Sequence, residues 1–133
     1  MNALVADTHT AIWYYAGDPE LSVFALQAMN AAVQSGNTIV LASISLVEVA
    51  YLVEKRRVPA GTYDDLITAL NDPDFGLVLA PLDQAICDAM RLVSRNQVPD
   101  MPDRIIAATS LALGLPLISR DRKITASSIQ TIW

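Results

Sequence analysis

The chain has a single histidine and a single cysteine, which speaks against a zinc or redox-metal centre. Cys87 alone can form no intrachain disulfide and leaves no thiolate cluster for a metal. The longest uncharged stretch, from Leu21 to Val47, is interrupted by Gln27, Asn30, Gln34, Ser35, Gly36 and Asn37, so no membrane span is expected. No basic region precedes the apolar residues Ala3 to Ala6, which stop at Asp7, so no secretory signal is expected and the cytoplasm is the default compartment. Gly-rich phosphate loops and a GxSxG nucleophile elbow are also missing, and Cys87 has no histidine within its predicted helix. P-loop and covalent hydrolase chemistries are therefore not expected.

What remains is a chain of 133 residues, 53% hydrophobic and 17% charged, which is long enough to bury a core and too apolar to be disordered. One domain over residues 1–133 is expected. The net charge of −5 opposes binding nucleic acid through bulk charge. It leaves a nuclease open, because setting five clustered carboxylates aside leaves nine acids against nine bases.

The apolar run Asn2 to Ala6 predicts a strand, and Ala11, Ile12 and Tyr15 then recur at helical spacing. A second helix runs from Leu21 to Gly36, followed by a β-branched strand at Thr38 to Ala42. Ser43 or Ser45 can N-cap a third helix ending near Glu54, and Tyr63 to Leu70 reads as a fourth. Gly76 to Ala80 predicts a strand, Asp83 to Arg95 a long helix, and Pro102 to Leu113 another helix closed by Gly114. Leu117 to Ser119 and Ser128 to Ile132 are the last strands, with a loop or short helical turn at Asp121 to Ala126. Short strands separated by helices predict a three-layer α/β/α sandwich around a mostly parallel sheet of about five strands.

In such sheets ligands bind beyond the carboxyl ends of the strands. Asp7 follows the first strand and Asp121 follows the fourth, so both fall there. Asp100 and Asp103 open a helix, where a carboxylate also serves as a plain cap. Glu48 is the only charged residue between Glu20 and Glu54, on a helix apolar on nearly every side, so it needs a partner, a metal or a narrow solvent stripe shared with Ser45. Carboxylates from four elements converging without matching cations would repel one another, and a hard divalent ion resolves that conflict. Oxygen donors suit Mg²⁺ or Mn²⁺, and carboxylate sites of this kind support phosphoryl transfer to water.

The segments Asp7-Thr8-His9, Ser45-Leu46-Val47-Glu48-Val49, Asp103-Arg104-Ile105-Ile106-Ala107-Ala108-Thr109 and Leu117-Ile118-Ser119-Arg120-Asp121 resemble, in order and spacing along essentially the whole chain, the PIN domain family and its VapC-type toxins. The resemblance implies a metal-dependent endoribonuclease of a toxin–antitoxin pair, usually homodimeric and inhibited by a cognate antitoxin. Asp7, Glu48, Asp103 and Asp121 match the catalytic acidic quartet, and Asp100 matches an acid one turn before its third member, giving five metal-ligand candidates. Asp100-Met101-Pro102-Asp103 departs from the commoner order, in which proline directly follows the first acid. Thr8 and Ser119 match small hydroxyl positions that support the acids.

His9, Arg104, Arg120 and Arg122 lie beside these acids and are candidate RNA contacts, the arginines having salt bridges to the same carboxylates as their alternative role. Trp13 reads as packing rather than as a base-stacking surface. The apolar surface of the first three helices suggests a dimer face or a groove for a partner helix. The main alternative is a catalytically inactive module of the same fold that only binds RNA or protein. A DNA nuclease or phosphatase is a third, opposed by the lack of a basic arch.

Overall fold

The computed structural model describes residues 1–133. Five strands, β1 (Asn2–Ala6), β2 (Thr38–Ala42), β3 (Leu77–Ala80), β4 (Leu117–Ile118) and β5 (Thr131–Ile132), form one sheet in the order β3-β2-β1-β4-β5. Every neighbouring pair is parallel. The connections are α1 (Thr8–Ala16), α2 (Val23–Gln34), α3 (Ser43–Glu54), α4 (Thr62–Asn71), α5 (Gln84–Met90), α6 (Met101–Leu113) and α7 (Arg122–Thr125). None of these helices is long and apolar enough to cross a membrane.

Alternation along the strands builds two cores. Leu4, Ala6, Ile39, Leu41 and Ile118 face one side, where Ile12, Met29, Val49 and Leu66 from α1 to α4 cover them. Val5, Val40, Ala42 and Leu117 face the other, against Ile86 and Ala89 of α5, Ile105 to Ala108 of α6 and Ile124 of α7. Near-continuous burial of β1 and β2 is what a parallel sheet covered on both faces demands, and it gives the expected three-layer sandwich. At Gly76, with φ of +83°, a Cβ would sit 2.9 Å from Val33 Cγ2, so the turn into β3 needs glycine both for its backbone and for contact with the end of α2.

The chain lays down β1, β2 and β3 outward in one direction and then returns to place β4 on the other side of β1. The crevice between the carboxyl ends of β1 and β4 is therefore the point where strand order reverses, and Asp7 N–H donates across it to Ile118 O at 3.1 Å.

Three local expectations fail. The helix expected over Asp83 to Arg95 ends at Met90, because the Arg104 guanidinium on α6 draws the carbonyls of Met90 and Val93 to itself at 2.9 and 3.0 Å. Neither Ser43 nor Ser45 caps α3: Ala42 holds that position without a side-chain bond, Ser43 Oγ accepts from Leu82 N–H at 3.0 Å, and Ser45 is buried against Thr8. The last strand shrinks to Thr131–Ile132 because only those residues pair with β4, while Ser127 and Ile129 close a turn.

Candidate active site and metal centre

Three of the acids reach the crevice by the same device. Asp7, Asp100 and Asp121 are the N-cap residues of α1, α6 and α7. Asp7 Oδ1 accepts from Thr10 N–H at 2.9 Å, Asp100 Oδ2 from Asp103 N–H at 3.2 Å, and Asp121 Oδ1 from Lys123 N–H at 2.9 Å and Ile124 N–H at 3.3 Å. One oxygen of each carboxylate thus satisfies the helix start, and the other makes no hydrogen bond within the chain. Capping spends only half of each carboxylate and leaves the other half available to a ligand.

Glu48 arrives differently, from the middle of α3. Its Oε1 accepts the Thr8 hydroxyl proton at 2.6 Å, and Thr8 Oγ1 is in hydrogen-bond contact with Ser45 Oγ at 2.9 Å. Thr8 and Ser45 are both buried, so a fixed pair of hydroxyls aims this carboxylate. On the far side, buried Ser119 accepts from Asp121 N–H at 3.1 Å and shapes the turn that presents Asp121; it does not line the cleft itself. Buried Thr10, absent from the candidate residues, donates to Ile118 O at 3.1 Å and ties the first turn of α1 to the end of β4. Its signal in the sequence is only a third polar residue after Asp7.

The result is an open cleft of about 730 Å³ lined by Asp7, Glu48, Asp100, Asp103 and Asp121 with Thr8, His9, Trp13, Ile106, Arg120 and Arg122. Glu48, Asp100 and Asp103 converge most closely, with one carboxylate oxygen from each lying within 4.8 Å of the others. Asp7 and Asp121 share the cleft but stand outside that trio. The single ion pair of the chain, Arg120 with Glu20, involves none of the five. Burial pushes Asp103 up from its ordinary 3.8 to about 7, with the charges of Asp100, Asp121, Glu48 and Asp7 adding to the effect. Burial also raises Glu48; the Thr8 hydrogen bond and His9 pull it down, while Asp100 and Asp7 push it further up. Two acids that resist ionisation, set among further carboxylates with no ion pair to a protein cation, fit a hard divalent ion.

The candidate substrate contacts separate. Arg120, Arg122 and His9 line the cleft. Arg104 does not: its guanidinium holds the Met90 and Val93 carbonyls, so although it neighbours Asp103 in sequence it turns away from the cleft. Trp13 both packs and faces the cleft, touching Trp133 edge-on at 6.1 Å between ring centroids and His9 at 5.4 Å. Glu20, unnoticed in the sequence, reaches Arg120 across 100 positions of chain.

Residues 4–127 match the model of the PIN domain family. A ribonuclease of Mycobacterium tuberculosis, VapC22, is 24% identical over 124 residues, covering 93% of this chain and 91% of that protein. Among solved structures, VapBC2 from Rickettsia felis, bound to a DNA fragment from its promoter, superposes with a TM-score of 0.73 at 16% identity, covering 98% of this chain and 97% of that one. FitAcB from Neisseria gonorrhoeae superposes at 0.62 and 17% identity, with coverage of 98% and 96%.

Proposed function

The chain belongs to the PIN domain family, and on that premise we propose that it is a VapC-type toxin, a Mg²⁺- or Mn²⁺-dependent endoribonuclease acting as one domain over residues 1–133. The observation that carries this reading is the convergence of Glu48, Asp100 and Asp103 within 4.8 Å beside Asp7 and Asp121, none of the five in an ion pair with a protein cation. Glu48, Asp100 and Asp103 would hold the ion, with the free oxygens of Asp7 and Asp121 available in the same cleft. When bound, such an ion supplies Lewis acidity for displacement of a phosphodiester oxygen by water.

The chain's own residues do the positioning. Thr8 and Ser45 fix Glu48, the three helix starts fix Asp7, Asp100 and Asp121, and Ser119 fixes the turn behind Asp121. His9, Arg120 and Arg122 offer the cleft its donors toward an RNA backbone. The open shape of the cleft suits a polymer that must lie across the acids.

A cognate antitoxin is the natural inhibitor under this reading. A second groove of about 280 Å³ adjoins the first across His9 and Trp13, lined by Ile12, Val58 and Leu66, and suits an apolar segment of such a partner. Exposed Val23 and Phe24 on α2, and Val47 and Tyr51 on α3, support burial against another chain, including a homodimer partner. The compartment that fits this role is the cytoplasm.

The test is cleavage of structured and single-stranded RNAs by the wild type and Asp7→Asn with Mg²⁺, Mn²⁺ or EDTA. Asparagine keeps an oxygen for the α1 cap, so the variant should fold while losing cleavage. Metal-dependent cleavage lost in the variant supports the ribonuclease; cleavage unchanged by EDTA or by the substitution overturns the site. Folded, metal-loaded protein that cleaves nothing favours the binding-only module.

A further inference from the structure

Arg120 is the most constrained cation at the cleft. Its Nη1 donates to Glu20 Oε2 at 2.7 Å, and its guanidinium carbon lies 4.4 Å from the centroid of the Trp13 ring. Trp13 also packs edge-on against Trp133, with 6.1 Å between ring centroids. Nε and Nη2 of Arg120 make no hydrogen bond within the chain, although the residue lines the acidic cleft. The guanidinium is thus held over an indole, with a carboxylate on one nitrogen and its remaining edge available.

Such a pair gives the fold little. Both side chains are about half exposed, at 51% for Arg120 and 56% for Glu20, and exposed ion pairs contribute weakly. Its placement is more informative. A polyanion approaching five carboxylates needs an oriented cation at the rim, and a guanidinium presents the planar fork that phosphate oxygens match. A carboxylate makes the same match, with the same single charge as one backbone phosphodiester.

We propose that Glu20 is a placeholder for substrate phosphate on Arg120. An RNA backbone phosphate flanking the scissile one displaces the Glu20 carboxylate, while Trp13 keeps the guanidinium in place through the exchange. Glu20 lies in the connection from α1 to α2 and Arg120 in the turn from β4 to α7, so the exchange also releases those two segments from each other. This inference rests on the ribonuclease reading.

The experiment measures kcat and KM for a single-stranded RNA that the wild type cleaves, over a series of salt concentrations, for wild type, Arg120→Ala, Arg120→Lys and Glu20→Gln. Arg120→Ala should raise KM about ten-fold with a much smaller change in kcat, and should flatten the slope of log KM against log salt by about 0.7, the amount expected for one lost phosphate contact on a single strand. Arg120→Lys should keep the wild-type slope, because the charge remains. Glu20→Gln should lower KM about three-fold, since the competing carboxylate is gone.

A wild type without metal-dependent RNA cleavage overturns the ribonuclease reading itself. An active wild type whose Arg120→Ala variant keeps the same KM and salt slope overturns this proposal alone, and marks the pair as a structural tie. A Glu20→Gln variant with raised KM also overturns it, because Glu20 would then be positioning Arg120 rather than standing in for phosphate.

Discussion

Replacing Asp103 by asparagine should stabilise the metal-free protein while removing its activity. The folded state holds the Asp103 carboxyl at about 7 against an ordinary 3.8, chiefly through burial and then through Asp100, Asp121, Glu48 and Asp7. That displacement corresponds to roughly 4 kcal/mol if taken whole. The carboxyl is only about half buried, and water and salt screen it, so about 1–2 kcal/mol is the expected share. The sign follows from proton linkage. A carboxyl raised on folding contributes stability that is fully present below 3.8 and is lost as pH climbs through about 7. Asparagine has no such loss, so its advantage should be largest at pH 7.5 and above and should fade on acidification towards 4. Loss of a negative charge from the first turn of α6 offsets a few tenths of a kcal/mol. Thermal melts in EDTA across this range should show a rise of about 4–8 °C at high pH for a chain of this size. An Asp103→Asn variant that melts at or below the wild type at pH 8 would refute the account of a cleft strained by its own carboxylates. Added Mg²⁺ or Mn²⁺ should narrow the gap, since only the wild type gains from the ion.

Thr8→Val should weaken Mn²⁺ binding about ten-fold at neutral pH, because Glu48 loses the hydroxyl that orients it and holds its pKa down, whereas Thr8→Ser should restore it. A metal titration distinguishes the two, and equal affinity in Thr8→Val and wild type would remove Thr8 from the site. Arg104→Ala should cost about 2–3 kcal/mol in urea unfolding, because the Met90 and Val93 carbonyls lose their charged donor. A variant within about 0.5 kcal/mol of wild type would show that those turns hold themselves.

The elements that read cleanly from the sequence are those whose signal is local. Asn2 to Ala6 and Thr38 to Ala42 appear as strands with the expected bounds, because a run buried on both faces has little other way to fold. Asp7 and Asp121 are visible from their place after strands and Asp100 from its place at a helix start. The capping role expected only of Asp100 and Asp103 is in fact filled by Asp7, Asp100 and Asp121. What escaped depends on distant partners. The early end of α5 is set by an arginine ten or more residues away, and Ser45 turns inward because Thr8 waits there. Trp13 reads as packing and does pack, but it also faces the cleft, which helical spacing alone does not reveal. Glu20 carries no pattern at all; only the fold puts it against Arg120.

The order in which the strands join the sheet has a consequence for the newborn chain. Asp7 and Glu48 emerge early, but Asp121 can reach them only once β4 has slotted in beside β1, after all the helices but α7 have been made. Domains gather their parts from the N-terminal end during synthesis. A partly translated molecule therefore carries an incomplete set of cleft acids throughout most of its time on the ribosome. Under the proposed ribonuclease reading, cleavage could begin only after β4 and α7 are in place, so an inhibiting partner would have the whole of synthesis in which to bind.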